Sequence, residues 1–281
     1  MTPCLRGETD FVPRDAGSYT ALPMKVVVIV PAAGLGTRMA KAGARPGQAS
    51  KQFAELAGKP ILLHTLEKFA QVPQVEEIYI AVRENETERL REFLAAQHLR
   101  PKTYVVVGGD HRQHSVANAL AMVKAEANDV VLVHDAVRPF VEQEVIEKVI
   151  ECAAKHGAAI AGLPAVDTIK QVERTADRAI ITSTIPRERV VMAQTPQGFR
   201  YELLRRAFDE AQQDGFIGTD EASLVERSGQ QVAVVMGSAR NIKITTPGDL
   251  ELAEFYTQKR IHHGGTEAED RAIRSSGHRA K

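Results

Sequence analysis

A run of small residues ending in an arginine is the first place in the chain where chemistry can occur. Ala32, Ala33, Gly34 and Gly36 follow a run of β-branched residues, and Arg38 comes two positions later. Small side chains let a ligand lie against the backbone, whose N–H groups can then point at phosphate oxygens. The guanidinium of Arg38 is a permanent planar cation that suits phosphate. The pattern predicts a nucleotide pocket after the first strand, although a βα turn without a ligand would share it.

Two common phosphate-binding patterns are absent from the sequence. The dinucleotide fingerprint G-x-G-x-x-G would need glycine where Met39 stands, and no segment matches the P-loop pattern G-x4-G-K-[ST]. A nicotinamide-linked dehydrogenase is therefore disfavoured.

Two further charged residues could act on a phosphate-bearing ligand. Asp135 follows the apolar run Val130–Val133, at a sheet edge where one carboxylate and substrate phosphates can hold Mg²⁺. Lys51 lies in a Pro-x-x-x-Ser-Lys-Gln-Phe segment. Paired with Arg38 across a triphosphate, it could neutralise charge on the transferred phosphorus. Each residue also has a plainer interpretation, because Asp135 could cap a turn and Lys51 could be solvated.

Alternating strand and helix patterns predict the elements that position these residues. They indicate an α/β fold of the Rossmann-like kind, a mostly parallel sheet with helices on both faces. The predicted strands are Val26–Val30, Glu77–Val82, Tyr104–Val107, Val130–Val133, Ala158–Leu163 and Val232–Met236. The predicted helices begin at Pro60, Glu84, Gln113, Glu142, Arg200, Asp220 and, with a capping pattern, Thr246-Pro247-Gly248-Asp249.

Ligands in such sheets lie beyond the carboxyl ends of the strands. Four polar clusters fall at predicted strand ends and should converge there: Gly34–Arg38, Gly109–Ser115, His134–Arg138 and Asn241–Lys243.

The segment 164–190 departs from the alternation. Its polar centre, Glu173–Arg178, is flanked by weakly alternating stretches that predict a protruding β-arm, with Val166–Val172 paired to Ile180–Ile185. A surface hairpin without a partner is the plainer alternative.

Length and composition limit the remaining possibilities. We expect a single domain over 25–260, a flexible extension over 1–24 with Met24 as a candidate start, and a disordered tail over 261–281. The formal net charge is zero and Trp is absent, so no nucleic-acid or membrane partner is expected. Two cysteines, Cys4 and Cys152, cannot build a disulfide framework, which favours the reducing cytoplasm.

Taken in order from Lys25 to Arg260, the motifs resemble those of the 2-C-methyl-D-erythritol 4-phosphate cytidylyltransferase family of the non-mevalonate isoprenoid pathway. The matching segments are Pro31–Arg38, Lys51–Phe53, Gly108–Arg112 with Ser115, His134–Pro139, Val166–Thr168, Gln194–Gln197, Thr219–Ser223 and Asn241–Thr245. The resemblance implies that the cytidylyl group of CTP is transferred to 2-C-methyl-D-erythritol 4-phosphate and that pyrophosphate is released.

The resemblance also implies roles for particular residues. The nucleotide-binding set is Ala32, Ala33, Gly34, Gly36, Gly109, Asp110, Ser115 and Ala136. The catalytic set is Arg38, Lys51, Arg187 and Lys243, and the acceptor is held by Arg138, Thr168 and Thr195. Asp135 would hold Mg²⁺ or another divalent cation. A homodimer would form through the β-arm, which would carry Thr168 and Arg187 to the neighbour's pocket.

Two alternatives and one departure qualify the resemblance. A ribitol-5-phosphate cytidylyltransferase shares the Lys-Gln-Phe and Asp-Ala-Val-Arg-Pro elements, but the Pro-Ala-Ala-Gly start and Thr219–Ser223 favour the erythritol enzyme. A nucleotide-sensing module without activity is disfavoured because Arg38, Lys51 and Asp135 are all present. The loop from Arg38 to Lys51 is longer than family members usually show, which leaves open whether Lys41, Arg45 or Lys51 reaches phosphate.

Overall fold

The computed structural model describes residues 24–34 and 51–258. Its strands are β1 (Val26–Pro31), β2 (Glu55–Leu56), β3 (Lys59–Pro60), β4 (Val75–Val82), β5 (Lys102–Val107), β6 (Val130–Val133), β7 (Ala158–Pro164), β8 (Ile169–Arg174), β9 (Ala179–Ile185), β10 (Val191–Arg200) and β11 (Ala233–Met236). Its helices are α1 (Ile61–Ala70), α2 (Thr87–Ala95), α3 (Arg112–Met122), α4 (Gln143–His156), α5 (Tyr201–Gln213), α6 (Glu221–Arg227) and α7 (247–258).

Seven strands form one central sheet in the order β11-β7-β10-β6-β1-β4-β5. Strand β10 runs antiparallel to both of its neighbours, and all other neighbouring pairs are parallel. The carboxyl ends of six strands therefore meet at one edge of the sheet. The predicted fold class, a mostly parallel sheet of the α/β type, is confirmed.

Helices cover both faces of this sheet. Val26, Val28 and Val30 of β1 pack with α1, α2 and α4 on one face, whereas Val27 and Ile29 pack with α3, α5 and α6 on the other. Successive side chains of a strand point to opposite faces, so a strand buried on both sides must be apolar throughout. This explains the unbroken β-branched run from which the first strand was predicted.

Helix α7 closes a smaller apolar cluster beside the carboxyl edge. Its Ala253 packs with Val137, Phe140 and Ile244. The helix begins at residue 247, directly after Thr246, and its predicted start is therefore confirmed. The Asp249 carboxylate caps it by accepting hydrogen bonds from the backbone N–H groups of Thr245 and Thr246, each at 2.8 Å. The burial of the Asp249 carboxyl would raise its pKa, but these hydrogen bonds hold it below its usual range.

Strand β10 was not predicted from the sequence. It inserts between β6 and β7, in a stretch that the sequence analysis left without a strand, and α5 begins immediately after it. Its middle contains Gln194, Thr195, Pro196, Gln197 and Gly198, which show no apolar alternation. These residues are nevertheless buried, because their polar groups bond to loops at the edge of the sheet.

The β-arm consists of β8 and β9, which pair only with each other in the part of the chain that the structure describes. The observed strands, Ile169–Arg174 and Ala179–Ile185, overlap the predicted pairing but shift its first strand towards the turn. Nearly every residue of the arm is exposed.

Other predicted elements agree with the structure except at their ends. The helix expected to begin at Glu84 is a 3₁₀ turn over Glu84–Glu86 followed by α2. The extension over 1–23, the loop over 35–50 and the tail over 261–281 lie outside the described residues. Among the helices that are described, none combines the length and apolar character needed to cross a bilayer.

Candidate active site

A pocket lies at the carboxyl ends of β1, β5 and β6. All four predicted polar clusters contribute to its lining, with Gly34, Gly109, Asp110, Ser115, Asp135, Ala136 and Lys243. Ala32 and Ala33, predicted to bind the nucleotide, line it as well. Gln52, His111 and Arg112 also contribute to its wall.

The chain leaving β1 forms the first wall. The backbone N–H of Ala32 donates to the carbonyl of Ala81 at 2.7 Å, and the buried amide of Gln52 donates to the carbonyl of Ala32. Among the described residues other than its neighbours in the chain, none lies within 4 Å of the position that a Cβ on Gly34 would take. The backbone at Ala33 and Gly34 is thus held from behind, and no residue of 24–34 or 51–258 blocks its front at Gly34, as a phosphate-binding loop requires.

The loop after β5 forms the second wall. The Ser115 hydroxyl accepts from the backbone N–H of Gly109 at 3.1 Å and donates to the carbonyl of His111 at 3.1 Å. A Cβ on Gly108 would lie 2.6 Å from the Cβ of Ala33, so the two walls approach too closely for any larger residue there. Ser115 therefore closes the turn that shapes this side of the pocket.

Asp135 lies at the centre of three cations. Its carboxylate is within 3.3 Å of Arg112 Nε, 3.2 Å of Arg138 Nε and 2.9 Å of Lys243 Nζ. Burial would raise the pKa of Asp135, but the charges of Arg112, Lys243 and Arg138 hold it well below its usual range. Asp135 is thus an ionised carboxylate within a strongly positive surrounding.

A chain of hydrogen bonds fixes the backbone of Asp135. Its N–H donates to the Thr195 hydroxyl at 3.1 Å, and that hydroxyl lies 3.1 Å from Nδ1 of His134. Nε2 of His134 lies 3.1 Å from the carbonyl of Arg138, so Nε2 carries the proton and Thr195 donates to Nδ1. Burial lowers the pKa of His134 to about 4, and the ring is therefore neutral at physiological pH.

Arg138 and Thr195, predicted to bind the acceptor, lie behind Asp135 and outside the described lining of the pocket. The guanidinium of Arg138 donates to the carbonyl of Asn241 at 2.7 Å, and the amide of Asn241 donates to the carbonyl of Thr195 at 2.8 Å. Both residues therefore connect β6, β10 and the segment before α7.

Thr168 and Arg187 lie on or beside the arm and are exposed. The guanidinium of Arg187 donates to the carbonyl of Val166 at 2.8 Å and lies 3.7 Å from Glu188. Neither Thr168 nor Arg187 belongs to the described lining of the pocket. Gly36 and Arg38 lie outside the described residues, as does the side chain of Lys51.

Comparison with known proteins identifies this arrangement. Residues 26–259 match the model of the 2-C-methyl-D-erythritol 4-phosphate cytidylyltransferase family. The chain is 63% identical over 237 residues to the protein of that name from Acidobacterium capsulatum, covering 84% of this chain and 99% of the relative. The chain belongs to this family.

Further relatives and solved structures agree with the family assignment. The Solibacter usitatus 2-C-methyl-D-erythritol 4-phosphate cytidylyltransferase is 54% identical over 84% of this chain and 97% of its own length. The crystal structure of the Thermus thermophilus protein of the same name superimposes with a TM-score of 0.67 at 34% identity, covering 84% of this chain and 100% of that one. The chain is thus a transferase of the cytidylyltransferase class, and the dehydrogenase and the nucleotide-sensing module are set aside.

Asp135, Arg112, Arg138, Lys243 and Glu221 form a charge cluster at the pocket of this cytidylyltransferase. Two of its members, Arg112 and Glu221, had no role in the site predicted from the sequence. Arg112 was noted only within the Gly109–Ser115 cluster and a matching segment, and Glu221 only within Thr219–Ser223. In the structure Nη1 of Arg112 lies 2.7 and 2.8 Å from the two carboxylate oxygens of Glu221. Burial raises the pKa of Glu221 and the guanidinium opposes that shift; the two short contacts are those of an ion pair. Sequence spacing does not show that Glu221 is buried or that it lies against Arg112, so this ion pair could not be predicted from the sequence.

The carboxylate ligands of the cytidylyltransferase pocket suit a divalent cation that binds together with a nucleotide. Within 24–34 and 51–258, no group of three His, Cys, Asp or Glu side chains could by itself hold a metal. Mg²⁺ commonly takes one or two carboxylates and completes its coordination with substrate phosphates and water. The carboxylate of Asp135, which lines the pocket, fits that pattern.

Proposed function

We propose that this pocket binds CTP beside 2-C-methyl-D-erythritol 4-phosphate and transfers the cytidylyl group between them. The acceptor phosphate oxygen forms a bond to the α-phosphorus of CTP, and the bond from that phosphorus to the bridging oxygen breaks, so that pyrophosphate leaves. The observation that carries the assignment is the ionised Asp135, surrounded by three cations, directly beside an open backbone of small residues.

In this proposal the two walls receive the nucleotide. The backbone N–H groups of Ala33 and Gly34 face the triphosphate, whereas the N–H of Ala32 already donates to the carbonyl of Ala81 and holds this wall in place. We assign Gly36 to the same nucleotide-binding set on the grounds of the sequence. Gly109, Asp110, Ser115 and Ala136 form the side that receives cytosine and ribose. The tight Gly108–Ser115 turn keeps that side rigid.

The cations supply most of the catalysis. A phosphate monoester dianion is a competent nucleophile, so positioning and charge stabilisation matter more than a general base. Lys243 lies in the pocket. On the grounds of the sequence we assign Arg38 and Lys51 to the charge of the triphosphate. Donors held in place before the reaction stabilise charge without reorganisation at the transition state.

Asp135 is the residue that we assign to a divalent cation, Mg²⁺ or a similar ion. Such an ion would neutralise phosphate charge when it is bound with the nucleotide. Arg112 and the Thr195–His134 chain orient the Asp135 carboxylate for this role.

The arm is the part that we assign to a homodimer. A two-stranded hairpin is at best marginal alone in water, and the apolar Val172, Ile180 and Ile181 are exposed on it. Packing against a second copy would cover them and would bring Thr168 and Arg187 to the neighbour's pocket as ligands of the acceptor phosphate. The cytoplasm is the location that we propose, since the free thiol of Cys152 suits a reducing compartment.

Pyrophosphate release, measured for CTP, UTP, ATP and GTP with each of two acceptors, tests the assignment. We expect release with CTP and 2-C-methyl-D-erythritol 4-phosphate and little with ribitol 5-phosphate, the alternative acceptor. A preference for ribitol 5-phosphate or for UTP would contradict the proposed substrates.

A further inference from the structure

Glu221 is a buried carboxylate that faces the charge cluster from the first turn of α6. Its side chain is 1% exposed, and its two oxygens contact Nη1 of Arg112. Nε of the same arginine donates to Oδ1 of Asp135 at 3.3 Å. Arg112 therefore bridges two carboxylates, and its shorter contacts are those to Glu221.

Three interactions fix the position of Glu221. Asp220 caps α6 by accepting from the backbone N–H of Ser223 at 3.0 Å. The buried amide of Gln197 on β10 donates to Asp220 at 2.7 Å and accepts from the backbone N–H of Ala222 at 3.1 Å. The segment Thr219–Ser223 thus holds one carboxylate rigidly against Arg112.

This rigid contact determines how much of Asp135 remains available. An arginine and a carboxylate that meet without constraint tend to pair through two parallel hydrogen bonds. Because Glu221 holds Nη1, Arg112 reaches Asp135 only through Nε and at the long end of the hydrogen-bond range. The second carboxylate also offsets one of the three positive charges around Asp135.

We propose that Glu221 is a positioning residue that restrains Arg112, so that Asp135 keeps acceptor capacity towards the pocket for a divalent cation. The inference rests on the proposed role of Asp135. Without Glu221, Arg112 would close onto Asp135 and compete with the cation.

The test is binding of Mn²⁺ in the presence of CTP, measured from the spin-resonance signal of free Mn²⁺. Glu221→Gln keeps the size of the side chain and removes its charge. Replacing groups that orient a metal ligand typically weakens metal binding by roughly 10–100-fold, and we expect a loss in that range. Glu221→Asp keeps the charge with a shorter reach and should fall between Glu221→Gln and the wild type.

A double variant tests whether the effect passes through Arg112. In an Arg112→Ala background nothing is left to restrain, so adding Glu221→Gln should leave Mn²⁺ affinity unchanged. A further loss of the same size in that background would overturn the proposal.

Asp129→Asn is the matched control. Asp129 is also a buried carboxylate, but it lies before β6, at the opposite end of the sheet, and accepts from the backbone N–H groups of Lys25 and Glu126. This variant should lose stability and keep the wild-type Mn²⁺ affinity. An equal loss of affinity in Asp129→Asn would reduce the Glu221 effect to general destabilisation.

Asp135→Asn separates the two proposals. If it leaves Mn²⁺ binding unchanged, the metal assignment is wrong and the inference falls with it. If it abolishes binding while Glu221→Gln binds like the wild type, only the inference is wrong. Should Glu221→Gln not fold, wild-type affinity in Glu221→Asp would assign Glu221 to folding alone.

Discussion

The pocket and the β-arm are both rich in polar residues, yet they are stabilised in different ways. In the pocket, the Asp135 carboxylate has partners from α3, from its own loop and from the segment before α7. In the arm, Ile181 is 60% exposed, and β8 and β9 pair only with each other among the described strands. Contacts within one chain therefore fix Asp135, whereas the arm leaves apolar side chains exposed, which is why we proposed that a second copy covers them.

The largest expected effect concerns the pocket itself. Lys243→Ala should lower kcat by roughly 10²–10³-fold, the scale for removing one preorganised donor to transition-state charge. Two arginines still contact Asp135, so the fold should persist. Steady-state kinetics with CTP and acceptor check the loss, and Lys148→Ala, an exposed lysine on α4, is the control. Nearly normal kcat in Lys243→Ala would show that another cation carries this charge.

Burial makes the pocket region sensitive to pH. The pKa of His134 is 6.5 when unfolded and about 4 when folded, so between these values the unfolded chain binds a proton that the folded chain excludes. Stability therefore falls as the pH falls through this window, and this histidine alone should account for about 2 kcal/mol between pH 7 and pH 5.

Urea unfolding at the two pH values measures this contribution. His134→Gln should reduce the difference in unfolding free energy by that amount, whereas His156→Gln at the exposed end of α4 should not. An unchanged pH dependence in His134→Gln would mean that the ring takes up a proton in the folded protein.

Mixing two inactive variants tests whether the arm serves the neighbour's pocket. Lys243→Ala disables one subunit's pocket and Arg187→Ala disables the arm that reaches the other. After subunit exchange half of the dimers are mixed, and each has one intact site of two, which gives about one quarter of wild-type activity under two-fold symmetry. If exchange is confirmed with differently tagged subunits and no activity returns, Arg187 serves its own pocket.

The smallest expected effect is that of a substitution in the arm on the stability of the monomer. Ile181→Asp places a charge on an exposed position, so the unfolding free energy of the monomer should change by no more than about 0.5 kcal/mol. If the arm forms the proposed homodimer, the same change should dissociate it in sedimentation experiments. Val234→Asp, an exposed apolar position on β11, is the control and should leave the assembly intact. A dimer that survives Ile181→Asp would place the interface elsewhere.

Much of the fold could be predicted from the sequence because burial leaves a pattern in it. Val26–Val30 and Val130–Val133 are continuous apolar runs, and both are central strands. Strand β10 was not predicted because its buried residues include Gln194 and Gln197, whose side chains form hydrogen bonds in the interior. A strand with buried polar residues shows no apolar alternation. The family resemblance, which depended on the order of the motifs along the chain, was correct.

The sequence by itself determined the parallel sheet, the position of the pocket at its carboxyl edge and the family, since these depend on residue types and their order. Only the tertiary structure decided that Arg112 joins Glu221 to Asp135, residues separated by 109 and 23 positions from it. It also showed that Thr195 lies behind Asp135 and holds its backbone. Such contacts require loops far apart in the chain to be positioned to within a few tenths of an ångström, and no local pattern of residues records that positioning.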